Sequence, residues 1–144
     1  MARSLTAANT VITFTIPDLF PVGFQLQGFA ADDIFDTDEI DSAEVSMGVD
    51  GILSAGFVFV PIRQRYNLQA NSLSISYFDS WWQASKAAVD AFPATADFAF
   101  PGLGATYTML NGYLTGYPPV PNAGKIVKPR RFTVTWNDSN SMPI

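Results

Sequence analysis

Between Asp32 and Ile62 a dense run of acids stands next to a stretch with almost no charge, and that juxtaposition limits what the chain can fold into. The acids come first, in Asp32-Asp33-Ile34-Phe35-Asp36-Thr37-Asp38-Glu39-Ile40-Asp41-Ser42-Ala43-Glu44. Gly48-Val49-Asp50-Gly51 follows, and its Asp-Gly step tolerates the positive φ of a tight turn. An uncharged run closes the unit, Ile52-Leu53-Ser54-Ala55-Gly56-Phe57-Val58-Phe59-Val60-Pro61-Ile62. A strand apolar on both faces, as Phe57 to Val60 would be, must be covered twice, once by the core and once from outside. Pro61 cannot donate to a ladder, which predicts an edge or a bulge. The pattern predicts a hairpin over Ile40–Leu68, with one long strand from Ile52 to Leu68.

The rest of the chain supplies a frame for that unit. Val11–Ile16 alternates and is β-branched, and Phe20–Phe29 alternates after it, so both are expected strands. Leu73, Tyr77 and Trp81, with Phe78 and Trp82, recur at i,i+4 spacing and predict one helix over about Ser72–Phe92, capped by Asn71 or Ser72 and ended by Pro93. Strands are expected again at Phe98–Phe100, Thr106–Leu110, Gly112–Tyr117 and Arg131–Trp136, with a proline-extended loop at Pro118–Gly124 and a loose tail over 136–144. Strands, one helix and strands again predict a mainly β protein: an antiparallel sandwich or barrel with one flanking helix, in a single domain over 1–144.

Chemistry has little to work with. Among 144 residues there is no cysteine and no histidine, which removes thiolate sites, the commonest general base and the commonest metal ligand. The expectation is no enzyme, no metal and no cofactor. The acids depart from a calcium loop, since no glycine stands at its sixth position. Gly102-Leu103-Gly104 lacks the Gly-Lys-Ser/Thr ending of a phosphate loop. A net charge of −5 argues against an electrostatic nucleic-acid binder. Met1–Leu5 lacks the apolar core of a signal peptide, and the apolar run is far short of a membrane span, so a cytoplasmic site of synthesis is expected.

Charged residues make up only 15%, against roughly 25% in an average soluble domain, so part of the surface is expected to meet other subunits. The basic residues Lys125, Lys128, Arg130 and Arg131 lie far along the chain from the acids, a separation that suits head-to-tail stacking of identical copies as well as two solvated faces.

The order of these elements resembles that of a bacteriophage tail tube protein, of long-tailed and above all contractile-tailed phages. The residues that carry the resemblance run from Val11 to Trp136. They are the strand Val11–Ile16, the passage Gly28-Phe29-Ala30-Ala31-Asp32, the Gly48-Val49-Asp50-Gly51 turn, a long strand ending near Leu68, a helix from Ser72, Asn111-Gly112-Tyr113-Leu114, and Arg130-Arg131-Phe132-Thr133-Val134-Thr135-Trp136. The proline-rich Tyr117–Gly124 segment departs from it.

The resemblance implies hexameric rings stacked into a hollow tube within the virion, a conduit for DNA ejection. It implies tape-measure, sheath, baseplate and tail-terminator proteins as partners, transient passage of DNA, and assembly in the host cytoplasm. On that footing Phe57, Phe59 and Ile62 are expected at the contact between subunits, each worth roughly 1.5–3 kcal/mol when buried. Asp36, Asp38, Glu39 and Asp41 are expected on a loop facing the next ring or the lumen, with Lys125, Lys128, Arg130 and Arg131 as their partners between rings. The competing class is a carbohydrate-binding β-sandwich using Trp81, Trp82, Trp136 and the tyrosines as platforms. A small carboxylate-dependent hydrolase is a third.

Overall fold

The computed structural model describes residues 10–30 and 34–143. The acidic run therefore enters the description at Ile34; Asp32 and Asp33 lie outside the described residues. The strands are β1 (Val11–Ile16), β2 (Phe20–Gln25), β3 (Phe35–Thr37), β4 (Ala43–Met47), β5 (Leu53–Phe57), β6 (Ile62–Leu68), β7 (Ala94–Phe100), β8 (Ala105–Gly116), β9 (Arg130–Trp136) and β10 (Asp138–Pro143), with one helix, α1 (Ile75–Ala88). The protein is mainly β, as the pattern predicted. One antiparallel sheet runs β2-β1-β7-β8-β9-β6-β3, with β10 also paired to β8, and β4–β5 forms a separate two-stranded ribbon.

Alternation builds the core. In β1 the side chains of Ile12, Phe14 and Ile16 turn inward, and in β9 those of Phe132, Val134 and Trp136 do so. The sheet curls until β1 and β6 face each other, with Phe14 edge-on to Tyr66 at 5.3 Å between ring centroids and to Trp136 at 5.7 Å. Helix α1 closes this core with Ile75, Phe78 and Trp81, and Phe78 stacks on Phe132 at 4.6 Å. Trp81 is thus a core anchor, its indole N–H donating to the Phe92 carbonyl at 3.0 Å.

Helix α1 is shorter at both ends than the apolar spacing predicts. Ser72 Oγ accepts from the Ser74 N–H at 3.2 Å just ahead of the helix and also donates to the Gln27 carbonyl, while Ser74, at the N-cap, makes no side-chain capping bond, its Oγ accepting from the Gln27 N–H at 2.8 Å. Both hydroxyls tie the start of the helix to the segment after β2. At the other end Val89 takes the left-handed conformation, φ 52°, and the Asp90 N–H reaches the Ser85 carbonyl, ending the helix before Pro93.

Two other expectations are corrected. The predicted strands Thr106–Leu110 and Gly112–Tyr117 are one strand, β8, bent at Asn111 (φ 49°), where the register against β7 slips from Ala96↔Met109 to Ala94↔Gly112. The bend lets the first half of β8 pair with β7 and β10 and the second half with β9. The loose tail is not loose. Trp136 ends β9, and Asp138–Pro143 forms β10 against Leu110–Ala105, since the open side of β8 supplies the ladder that this polar sequence would not form alone.

Candidate assembly interface

The long strand predicted over Ile52–Leu68 is broken. β5 ends at Phe57 and β6 begins at Ile62, with Pro61 at the break. β4 and β5 therefore leave the main sheet as an arm. Its turn is the expected one: the Gly51 N–H reaches the Gly48 carbonyl at 3.0 Å, and Asp50 Oδ1 accepts from the Ile52 N–H at 3.1 Å, with Gly51 at φ 83°.

Pairing in the arm runs Ala43↔Phe57, Val45↔Ala55 and Met47↔Leu53, alternating with Glu44↔Gly56 and Ser46↔Ser54. Strand side chains alternate between faces, so the first three pairs make one wholly apolar face and the other two a small polar one. Every residue of both strands is exposed. A two-stranded hairpin is at best marginal in water, and this one shows water an apolar side. Phe57 is 72% exposed and Phe59 91%, their rings edge-to-face at 5.1 Å. Ile62 does not join them. It is 7% exposed, turned inward in the same parity as Gln64, Tyr66 and Leu68, and belongs to the chain's own core.

Beside the arm's root an open apolar groove of about 360 Å³ lies between β3, β6, β7 and β8, lined by residues that include Phe35, Ile40, Phe98, Phe100 and Tyr107.

The acids at the root divide into two sets. Asp36 lies within β3 rather than on a loop. Arg65 donates to its Oδ2 through Nη2 at 2.9 Å, and Arg131 to its Oδ1 at 3.0 Å. Asp38 takes the other side of the Arg65 guanidinium, with Nη1 at 3.2 Å from Oδ2. The Arg65 hydrogen bond holds the Asp38 carboxyl below the usual carboxylate range, and both carboxylates raise Arg65 further. Glu39 and Asp41, by contrast, are exposed and have no partner among the described residues.

The basic set divides in the same way. Arg130 is 7% exposed, not a surface charge. Its Nη2 donates to Asp79 Oδ1 at 3.1 Å and to the Pro118 carbonyl at 2.6 Å, and the guanidinium lies over the Tyr117 and Phe132 rings. Tyr117 completes the cluster by donating its hydroxyl to Asp79. Burial, then that hydrogen bond, raises the Tyr117 phenol. Arg131 is occupied by Asp36. Lys125 and Lys128 alone remain exposed and unpaired, on the loop between β8 and β9.

The three tryptophans do not form a stacking platform for sugars. Trp81 and Trp136 are buried, and Trp82 lies against Tyr117 at 4.8 Å with Lys86 over its ring.

Residues 3–140 match the family described as tail fiber protein gp32. The chain belongs to that family. The tail fiber protein gp32 match spans nearly the whole sequence, arm and loop included, and marks the chain as a tail structural component, associated with a virion or similar particle. A search of curated proteins finds no match.

Solved structures share the fold from end to end. A chain in the cryo-EM structure of the anti-feeding prophage baseplate superposes with a TM-score of 0.61 at 11% identity, covering 99% of this chain and 98% of that one. A chain of the same prophage's tube-terminating cap gives 0.58 at 9%, covering 100% and 94%. A chain in the extended sheath–tube complex of an extracellular contractile injection system gives 0.56 at 9%, covering 98% and 93%. At such identities the likeness is one of fold.

Proposed function

We propose that this protein is a tail tube subunit whose copies close into hexameric rings and stack into a hollow conduit for DNA. The observation that carries the reading is the β4–β5 arm. It is a ribbon with one wholly apolar face, outside its own chain's core, and it stands beside an open apolar groove. A lone subunit leaves both surfaces wet. A ring covers them with neighbouring copies, and edge strands such as β10 become contacts instead of aggregation hazards. Membership of a tail protein family and a fold shared with a sheath–tube complex support this reading.

The same fold in a baseplate and in a terminating cap favours a second reading, a single ring layer at one end of a tube. Negative-stain microscopy of the purified protein decides between the two. Tubes support the first reading and rings that never stack support the second. Monomers at high concentration count against both.

A further inference from the structure

The charges left over after internal pairing indicate how one ring would meet the next. Asp36, Asp38, Arg65 and Arg131 satisfy one another on the outer face of β3, β6 and β9, and Asp79 and Arg130 do so beneath the loop. None of these is free for a neighbour. Among the described charges without a side-chain partner, which also include Asp18, Glu44 and Arg63, two short segments match. Glu39-Ile40-Asp41 sets two unpaired acids around an exposed isoleucine at the arm's root, and Lys125-Ile126-Val127-Lys128 sets two unpaired lysines around two exposed aliphatic residues on the loop.

Register puts them at opposite ends of the β6–β9 strand pair. β6 and β9 are paired from Ile62↔Trp136 to Leu68↔Arg130. The arm joins β6 at the Ile62 end, and the loop enters β9 at the Arg130 end. The two ends are roughly 20 Å apart at the usual rise per strand residue. The loop is also shaped. Ala123 bridges Val127, the Lys128 N–H reaches the Asn122 carbonyl at 2.8 Å, and the Arg130–Asp79–Tyr117 cluster fixes its base.

We propose that Lys125–Lys128 of one copy seats on Glu39–Asp41 of a second copy in the adjoining ring, Ile126 against Ile40, with lysine–carboxylate pairs on either side. This rests on the stacked-ring reading above. The contact joins unlike patches at opposite ends of one subunit, so it is heterologous and repeats along an axis. Charges at the rim of such a contact set its register and salt dependence.

The test follows the full chain by negative-stain microscopy and sedimentation. Lys125→Glu with Lys128→Glu is expected to give rings that do not stack, and Glu39→Lys with Asp41→Lys to do the same. All four changes together are expected to restore stacking. The four positions are exposed, and circular dichroism checks that each variant is folded. Because the chain has no cysteine, Ile40→Cys combined with Ile126→Cys provides a clean second readout, a crosslink between subunits only. Normal stacks from either reversed pair, or no restoration in the fourfold variant, overturn the contact and leave the rings standing. Wild-type protein that stays monomeric at high concentration overturns the ring reading and the contact together.

Discussion

Arg130 Nη2 lies 3.1 Å from Asp79 Oδ1, joining the buried start of β9 to helix α1 across the base of the proline-rich loop. Removing the acid strands a guanidinium that is 7% exposed. Asp79→Ala is expected to cost about 1–3 kcal/mol, the penalty of leaving a buried donor without its acceptor. Asp79→Asn, which keeps an acceptor, should cost less. Urea unfolding of the two variants makes the comparison, and equal midpoints would remove the cluster from the account of the loop.

Phe57→Ser with Phe59→Ser should separate assembly from folding. Both rings are largely outside the chain's own core, so the unfolding midpoint of the monomer is expected to move little. Ring formation should be lost, because the arm would no longer offer its aromatic pair. Light scattering reads the assembly state, and rings that form as in the wild type would rule out the arm as a subunit contact.

Gly112 lies where the β8 bend brings the backbone against the Trp136 indole, and a Cβ there would overlap the ring. Gly112→Ala is expected to destabilise by about 1–3 kcal/mol, in the range of overpacked cores. A shift in the thermal midpoint of the full chain checks this.

Val89 offers a change of opposite sign. It is exposed, β-branched and held at φ 52°, a conformation that costs an L-residue roughly 1–2 kcal/mol. Val89→Gly relieves that strain and gives back part of it as entropy in the unfolded chain. The expected net gain is about 1 kcal/mol, read as a midpoint a few degrees higher.

Two groups set opposite pH limits. Asp38 has its pKa lowered in the folded state, chiefly by the Arg65 hydrogen bond. Its contribution is therefore complete above the unfolded carboxylate value of about 3.9 and fades as pH falls through the folded value. Amide protection factors in the arm, corrected for the slower intrinsic exchange in acid, are expected to fall on that acid side. Tyr66 is fully buried, and burial pushes its phenol far above the ordinary value of about 10. Its raised pKa leaves stability intact below that value and erodes it as pH climbs beyond. Tyrosinate absorbance from this residue should appear only together with loss of the folded circular dichroism spectrum.

How far the sequence could be read depends on where side-chain alternation is complete. β1 and β9 alternate cleanly, and their ends were legible to within a residue. The same rule, applied from Ile62 onward, places Ile62 inside with Gln64, Tyr66 and Leu68. Grouping it with Phe57 and Phe59 overlooked that it has the opposite parity to both. Arg130 shares the inward parity of Phe132, Val134 and Trp136, a signal that it is buried, but Asp79 lies far away on the helix and no local pattern points to it. The apolar face of the arm was also available in Val45, Met47, Leu53 and Phe57. Counting Ile40 into the same strand obscured it, because Ile40 falls out of phase with Val45 and Met47. β10 had no signal of its own, since Asp-Ser-Asn-Ser-Met-Pro becomes a strand only through the ladder that β8 supplies.

The arm leaves β6 at one end and the loop enters β9 at the other, which gives the subunit a front and a back. A column built by repeating such a unit would leave only Glu39–Asp41 segments free at one terminus and only Lys125–Lys128 loops free at the other. Growth at the two termini then proceeds by different chemistry. On the stacked-ring reading, a protein that starts the column could not also finish it, and each terminus would call for a cap of its own kind.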